Sequence, residues 1–229
     1  MRHIGILIFL AALAVGCAPA DKKPGTPRTP AEQSIEPAEL DPEAEVYAFR
    51  CPDGFKFTAI VSPDTAILVF PDERARLSSV PSASGSKFSG DNAMFWSKGD
   101  TAMVERDSKL RKGCIVDWKA SVWEEAKVMG VDFRALGNEP GWRLDVYSGE
   151  RLVLVTDYGR KRYEFPAVAP EVDRSARTAV YETRNDDHKL SVIIEGTRCV
   201  DNMSGDAYPS TVTVMLNGRV LKGCGRRIR

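Results

Sequence analysis

The sequence predicts an all-β protein, in which two small antiparallel β-barrel or sandwich domains follow a signal peptide and a disordered, proline-rich tether. Apolar residues fall on alternate positions through two long blocks, as half-buried strands require. Turn residues interrupt the blocks about every ten residues, a spacing typical of sandwiches and small barrels. A short segment with helical spacing joins the two blocks.

Composition limits the possible functions before any motif is considered. The 229 residues include 32 basic and 32 acidic side chains, five cysteines and two histidines. The length suits one large domain or two small ones, and the composition excludes a wholly disordered chain. A formal charge of zero offers no broad cationic surface for nucleic acid. Two histidines cannot build a histidine-rich zinc site, and we expect neither a metal nor any other cofactor.

Residues 1–16 predict an export signal. Met1-Arg2-His3 precedes an apolar run from Ile4 to Val15. The run has about the length of a signal-peptide core and is too short to cross a bilayer as a helix. We therefore expect this segment to be removed.

The end of the signal contains a cysteine in a recognisable context. Leu13-Ala14-Val15-Gly16-Cys17 resembles the lipobox of bacterial lipoproteins, in which the cysteine is acylated, for instance with palmitate, and becomes the mature N-terminus. More than one acyl chain on Cys17 would make the anchor stable. Ala18, where an aspartate would favour inner-membrane retention, implies an outer-membrane anchor facing the periplasm. Ala14 stands where most lipoboxes have leucine, so secretion by ordinary cleavage is the alternative.

Residues 17–44 are predicted to be the lipidated cysteine and a disordered tether. Prolines recur from Pro19 to Pro42. Between Ala18 and Ala44, Ile35 and Leu40 are the only large apolar side chains. Six acids against three bases make the segment mildly self-repelling. Such a composition cannot bury a core, so we expect a spacer that holds the following domains away from the lipid.

The first domain is predicted over residues 45–114. Its strands are marked by alternating apolar residues: Tyr47/Phe49/Cys51, Phe55/Phe57/Ala59/Val61 and Ala66/Leu68/Phe70. The breaks between runs are Pro52-Asp53-Gly54, Pro63-Asp64, Pro71-Asp72 and Arg106-Asp107-Ser108. No helical pattern interrupts the block, which favours a sandwich or small barrel.

The linker, residues 115–131, predicts a short helix, and residues 132–229 predict a second β domain. Asp117 is a candidate helix cap, with Trp118, Val122 and Ala126 spaced four apart. The alternating sets of the second block are Trp142/Leu144/Val146, Leu152/Leu154, Leu190/Val192/Ile194 and Val212/Val214/Leu216. Asn217-Gly218 is the strongest short-range signal for a two-residue type I′ hairpin.

Four cysteines remain after Cys17, and in an exported protein oxidation is the default. Three pairings are possible. The pairing Cys51–Cys114 and Cys199–Cys224 lets each bridge close its own block, and each could contribute about 3–4 kcal/mol by constraining the unfolded chain. Catalytic or metal-binding thiols are the alternative, which the lack of any Cys-x-x-Cys pair disfavours.

One stretch of the first block carries an unusual motif. It contains the loop Ser82-Ala83-Ser84-Gly85-Ser86-Lys87-Phe88, then Met94-Phe95-Trp96-Ser97-Lys98-Gly99-Asp100-Thr101-Ala102. Together with Tyr47-x3-Cys51-x2-Gly54 and Cys114, residues 46–114 resemble the membrane-bound inhibitors of C-type lysozyme, small lipid-anchored β-barrels of the bacterial envelope. Phe88 departs from the family, which usually has tyrosine there, but its ring should keep the same packing.

The resemblance implies a partner, C-type lysozyme, and a binding site. Ser84 and Lys98 match the family residues that reach the two catalytic carboxyl groups of the enzyme. Gly85, Ser86, Lys87 and Phe88 complete the lysozyme-binding set. Without the wider motif, this Ser/Gly loop would be interpreted as a solvated turn. Trp96 is interpreted as packing, since an aromatic on an alternating strand is usually core.

Physical chemistry supports these two roles. Lysozymes cleave glycan between one protonated and one ionised carboxyl group. A glycine-containing loop fits a narrow cleft, a hydroxyl can hydrogen-bond either carboxyl state, and an ammonium pairs with the carboxylate. The block from Glu45 to Cys114 has ten bases against nine acids. Long-range steering towards a basic enzyme is therefore expected to be weak, and local contacts should dominate.

The sequence of the second block gives less evidence of a function. Its segments Gly137-Asn138-Glu139-Pro140-Gly141-Trp142 and Cys199-Val200-Asp201-Asn202-Met203-Ser204-Gly205 resemble an uncharacterised envelope domain to which no activity is attached. Glu139 and Asp201 could form the acid pair of a glycan hydrolase. We favour the simpler interpretation that both order tight loops. His188 lies at a predicted hairpin tip, and Met203 lacks the companions of a soft-metal site.

The sequence thus favours an envelope inhibitor without catalytic activity. Two alternatives remain: a lipoprotein that binds a small ligand or cell-wall glycan without inhibiting lysozyme, and an enzyme that acts on glycan through Glu139 and Asp201.

Overall fold

The computed structural model describes residues 40–41, 43–90 and 92–228. Its first part is a closed barrel of eight antiparallel strands, each paired with the next along the chain. The strands are β1 (Glu45–Arg50), β2 (Lys56–Val61), β3 (Thr65–Val69), β4 (Arg74–Val80), β5 (Ser86–Ser89), β6 (Ala93–Lys98), β7 (Thr101–Arg106) and β8 (Lys109–Val116). This confirms the barrel that the turn spacing favoured.

The alternating apolar side chains of the predicted strands fill the interior of the barrel. Phe57, Leu68 and Phe95 are among the buried residues inside it, with the rings of Phe57 and Phe95 edge to face at 6.1 Å. Such aromatic pairs add to the apolar burial that drives folding. Period-two alternation therefore placed the inner face of the first domain correctly.

A single helix, α1 (Trp118–Val128), follows the barrel. The Asp117 carboxylate accepts a hydrogen bond from the Ala120 backbone N–H, so the predicted N-cap is confirmed. The predicted apolar face is only partly right. Trp118 is 56% exposed, whereas Trp123 and Val128 are buried. The spacing rule fails because α1 is covered on two sides and not on one.

The second domain is a nine-stranded antiparallel sheet in the order β12-β11-β10-β9-β19-β18-β15-β14-β13. The strands are β9 (Phe133–Asn138), β10 (Gly141–Tyr147), β11 (Arg151–Thr156), β12 (Lys161–Pro166), β13 (Glu171–Asp173), β14 (Thr178–Arg184), β15 (Lys189–Glu195), β18 (Ser210–Leu216) and β19 (Arg219–Arg227). A separate small hairpin pairs β16 (Cys199–Val200) with β17 (Ala207–Tyr208).

This sheet curls until β12 approaches β14. The Thr183 hydroxyl donates to the Pro166 carbonyl at 3.1 Å, and the Asn185 amide donates to the Glu164 carbonyl at 3.1 Å. Inside the curl lie the apolar sets that the sequence predicted, Trp142/Leu144/Val146, Leu152/Leu154, Leu190/Val192 and Val212/Val214/Leu216, with Ile194 packed against them. Asn217 and Gly218 have φ values of +50° and +85°, as a type I′ turn requires.

Helix α1 lies between the two domains. On one side the Ser121 hydroxyl accepts a hydrogen bond from the Ala48 N–H at 2.9 Å, and Val128 packs against Val46 and Ile60 on the outer wall of the barrel. On the other side the Arg226 guanidinium stacks 4.0 Å from the Trp123 ring. The helix therefore joins the two domains through packed contacts.

Each domain contains one disulfide. Cys51 is bonded to Cys114 and Cys199 to Cys224. This is the predicted pairing, in which each bridge joins two cysteines of the same domain.

The residues just before β1 behave differently from the expected spacer. Leu40 and Ala44 pack against the cluster of Val46, Ile60 and Val128. Leu40 finds an apolar partner because α1 and the barrel wall form a cleft beside it. The export signal, Cys17 and the tether up to residue 39 lie outside the described residues.

Candidate functional site

The two predicted site segments meet at one end of the barrel, here called the loop end. The loop of residues 81–85 connects β4 to β5, and the turn of residues 99–100 connects β6 to β7. Because β5 and β6 are antiparallel neighbours, with Ser86 opposite Ser97, the start of one strand lies beside the end of the other. The loop and the turn are therefore adjacent.

Gly85 forms the direct contact between them. Its φ is +70°, a conformation that glycine adopts at low cost. A Cβ atom at this position would lie 2.1 Å from the Ser97 carbonyl oxygen and 3.1 Å from the Lys98 Cβ. The loop backbone thus lies directly on the end of β6, and Ser84 and Lys98 are neighbours on one surface.

Two hydrogen bonds fix the loop backbone. The Ser82 hydroxyl donates to the Gly85 carbonyl at 2.8 Å, and the Trp96 indole N–H donates to the Ser84 carbonyl at 2.8 Å. Ser84 itself is exposed. Within the described part of the chain its hydroxyl has no hydrogen-bond partner, so it is available to an incoming group.

Lys98 is presented by a short, constrained turn. The Thr101 hydroxyl donates to the Lys98 carbonyl at 3.0 Å, and Gly99 has a φ of +56°. The side chain is exposed. No carboxylate among residues 40–41, 43–90 and 92–228 forms an ion pair with it, so its positive charge is not neutralised locally. The loop end therefore carries an exposed hydroxyl and an exposed, unpaired ammonium on adjacent segments.

The remaining predicted binding residues divide into two groups. Ser86 is exposed at the start of β5, and the Lys87 ammonium lies 5.5 Å from the centre of the Trp96 ring. Phe88 is different, because it is 2% exposed and its ring stacks on Phe95. Phe88 is therefore not on the exposed surface, where a partner-contacting residue was expected. It supports the loop from inside the barrel.

Trp96 also differs from its prediction as a core residue. Phe95 points into the barrel, so its neighbour Trp96 points outwards and is half-buried on the outer wall. The period-two rule that identifies Phe95 as an inner residue also predicts an outward-facing Trp96, although aromatic rings on strands are more often core. Trp96 is thus a site residue that the sequence reasoning missed.

The loop end of the barrel carries a small excess of acids over bases. The exposed acids Glu43, Glu45, Asp64 and Asp100 lie at the loop end. Glu43 and Glu45 line a cleft of about 350 Å³ beside Gly85. Most bases lie at the opposite end, where Asp53, Asp72, Glu73 and Asp107 pair with Arg106 and Arg111 and leave little net charge. The four acids of the loop end, against Lys87 and Lys98, make its surface slightly acidic.

One acid at the loop end is tightly bonded. The Tyr47 hydroxyl donates to the Glu45 carboxylate at 2.5 Å. This hydrogen bond, with burial and the charge of Glu45, raises the pKa of Tyr47 to about 12. The ring of Tyr47 also meets the exposed Trp118 ring edge to face at 5.8 Å. The hydroxyl therefore stays protonated and holds Glu45 beside the cleft.

Of the candidate acid pair in the second domain, Asp201 orders a loop through its side chain, whereas the same prediction for Glu139 is not confirmed. The Asp201 carboxylate accepts hydrogen bonds from the backbone N–H groups of Met203 and Ser204, at 2.9 and 2.7 Å, and from the Asn138 amide at 2.8 Å. Burial works against ionisation of Asp201, but these bonds outweigh it and lower its pKa. Glu139 is exposed and forms no side-chain hydrogen bond in the described chain. This agrees with Asp201 as a loop-ordering residue.

The described residues contain neither a cluster of metal-binding side chains nor a membrane-spanning helix. No three His, Cys, Asp or Glu side chains in this part of the chain gather as a metal site would require. No helix within it has the length and apolar character needed to cross a membrane.

Comparison with known proteins points to the first domain. A family described as "Membrane-bound lysozyme-inhibitor of c-type lysozyme" matches residues 49–110. A protein of Yersinia enterocolitica named "Membrane-bound lysozyme inhibitor of C-type lysozyme" is 38% identical over 73 residues. The aligned part covers 31% of this chain and 62% of that protein. No solved structure gives a significant match.

Proposed function

We propose that the protein inhibits C-type lysozyme, by inserting the Ser84 loop and Lys98 into the catalytic cleft. The close approach of Gly85 to the Ser97 carbonyl and the Lys98 Cβ supports the proposal, because the residue next to Ser84 then lies against the residue that carries the ammonium. The family match over residues 49–110 and the name of the Yersinia protein support the choice of partner.

The chemistry of the site suits an acid pair. The Ser84 hydroxyl can donate to a carboxylate or accept from a protonated carboxyl group, so it can bind either catalytic residue. Lys98 supplies a positive charge for the ionised carboxylate. Inside a closed cleft this pair would lose its water, and removing Lys98 would leave the carboxylate buried and unpaired. Such truncations cost about 2–5 kcal/mol of binding.

The loop is suited to enter a cleft because it is narrow and already ordered. Its backbone is held by Ser82, Gly85 and Trp96 before any partner arrives. Little conformational entropy is then lost on binding. Ser86 and Lys87 form the base of the loop, and the buried ring of Phe88 supports it.

The acidic surroundings favour a basic partner. Glu43, Glu45, Asp64 and Asp100 lie around the site, so a positively charged enzyme would be attracted to this end of the barrel. Steering is therefore stronger than the net charge of the domain suggests.

The proposal includes the location of the protein and the absence of catalysis. A lipid on Cys17 would hold it at the outer membrane, facing the periplasm, where lysozyme reaches the cell wall. The Yersinia protein is likewise named membrane-bound. The inhibitor itself would act as a plug and break no bond.

The test is an inhibition titration with the purified protein, a C-type lysozyme and bacterial cell walls. We expect turbidity loss to slow in proportion to added protein. Lys98→Ala should weaken inhibition by at least thirtyfold, the lower limit of the cost given above. Ser84→Ala should weaken it by at least about tenfold, because a hydrogen bond to a charged group is worth about 1.5–3 kcal/mol. Lys56→Ala, at the opposite end of the barrel, is the matched control and should inhibit normally. Full inhibition by the Ser84→Ala/Lys98→Ala double variant would exclude this site.

A further inference from the structure

The outer-wall residue Trp96 is closely connected to the loop. Its indole N–H donates to the Ser84 carbonyl at 2.8 Å, although the two residues are twelve positions apart in the sequence. Its backbone pairs with that of Lys87, and the Lys87 ammonium lies 5.5 Å from its ring. The ring is thus held between the base of the loop and its exposed tip.

We propose that Trp96 is a positioning residue: its N–H holds the Ser84 carbonyl so that the Ser84 hydroxyl is presented beside Lys98 before a partner binds. The inference rests on the proposed function. It adds a residue that acts through Ser84 and does not itself touch the catalytic groups of lysozyme.

The other loop contacts leave this task to Trp96. The Ser82 hydroxyl and the close approach to Ser97 both fix Gly85, one residue after Ser84. Neither contact fixes the peptide plane on which the Ser84 carbonyl lies. Without the indole N–H, this plane can rotate, and the fraction of molecules with the binding geometry falls. The apparent affinity falls by the same fraction.

The Trp96→Phe variant tests this directly, because it keeps an aromatic ring and removes the N–H donor. We expect inhibition to weaken about fivefold, the value typical of one hydrogen bond between neutral groups. The free energy of unfolding should fall by no more than about 1 kcal/mol, the worth of that single hydrogen bond, so the barrel should remain folded. Trp118→Phe is the matched control. Trp118 is exposed, and its indole N–H has no acceptor within the described chain, so that variant should inhibit normally.

A double-mutant cycle separates positioning from general packing. If Trp96 acts through Ser84, then Trp96→Phe should have almost no further effect in a Ser84→Ala background. Equal weakening in both backgrounds would overturn the inference, as would unchanged inhibition by Trp96→Phe alone.

Amide hydrogen exchange provides a readout that needs no lysozyme. Trp96→Phe should speed exchange at residues 83–86 and leave the amides of β1 to β3 unchanged. If the unchanged protein fails to inhibit lysozyme, the proposed function is lost, while this measurement still decides whether Trp96 orders the loop. Unaltered exchange at residues 83–86 would refute the positioning role.

Discussion

Cys51 and Cys114 occupy the next cross-strand position after Arg50 and Ile115, so their disulfide extends the ladder between β1 and β8. That ladder matches two residue pairs, fewer than the three between β4 and β5. The disulfide therefore lies where the barrel closes with the fewest backbone contacts.

Removing this disulfide should loosen the first domain. The bridge spans 63 residues, and a loop of that size is worth about 4 kcal/mol in the unfolded-chain entropy treatment. We expect the Cys51→Ser/Cys114→Ser variant to lose about that much free energy of unfolding, measured by urea titration with a probe in the barrel. Cys199→Ser/Cys224→Ser, which opens a separation of 25 residues, should leave that transition in place. A loss below 1 kcal/mol in the first variant would contradict the prediction.

Gly85→Ala should abolish inhibition without unfolding the barrel. The added methyl group would meet the Ser97 carbonyl oxygen, and the φ of +70° is strained for alanine, so the loop must move away from Lys98. We expect at least a thirtyfold weaker inhibition constant. Gly54→Ala is the matched control, because Gly54 has a φ of +82° but open space around it. Equal inhibition by the two variants would show that the close approach of Gly85 is not required.

Asp145→Asn should destabilise the junction between α1 and the second domain. Arg134 is 1% exposed, and its guanidinium forms two hydrogen bonds with Asp145, at 2.5 and 2.8 Å, while also reaching Glu125 of the helix. Breaking a buried pair of this kind costs about 3–5 kcal/mol. The measurement is the free energy of unfolding from urea titration.

Two comparisons complete that experiment. Glu164→Gln removes an exposed partner of Arg162 and should cost less than about 1 kcal/mol. The double variant Arg134→Met/Asp145→Leu should recover part of the loss, because it leaves no unpaired charge. If Asp145→Asn were as mild as Glu164→Gln, the buried pair would not be holding the helix in place.

A chain that ends at Val116 should self-associate. Without α1, the apolar residues Val46 and Ile60 on the outer barrel wall lose their cover. We expect this shortened protein to bind a hydrophobic dye and to sediment as oligomers. A chain that ends at Gly130 and carries Trp123→Gln, which removes the ring that the second domain would otherwise cover, keeps α1 and should do so much less. Identical behaviour of the two would mean that α1 does not protect the wall.

Local rules predicted most of the strands because a half-buried strand shows its own periodicity. The inner residues Phe57 and Leu68, the Asn217-Gly218 turn and the Asp117 cap all follow from short stretches of sequence. They require no knowledge of distant parts of the chain.

The features that the sequence did not predict have a common physical cause, which is contact between segments that are distant in the chain. Trp118 is exposed and Leu40 is packed because of where α1 lies between the domains. The burial of Arg134 depends on Glu125 and Asp145, which belong to different elements. At the site, the sequence identified Ser84 and Lys98 through a motif. It gave no sign that the Trp96 N–H bonds to Ser84, because that bond joins a strand to a loop twelve residues away in the sequence.

The chain enters the barrel at Glu45, on the same end as the Ser84 loop. A lipid on Cys17 would therefore pull from the side where the proposed partner docks, and the tether would have to leave room for that partner. Because Leu40 and Ala44 pack against the barrel wall, 22 residues, from Ala18 to Glu39, separate the cysteine from the packed part of the chain, and a segment of that length could reach at most about 75 Å when stretched and would average about 25 Å when coiled. If lysozyme is the partner, the length of this tether would set how near to the bilayer the enzyme is captured.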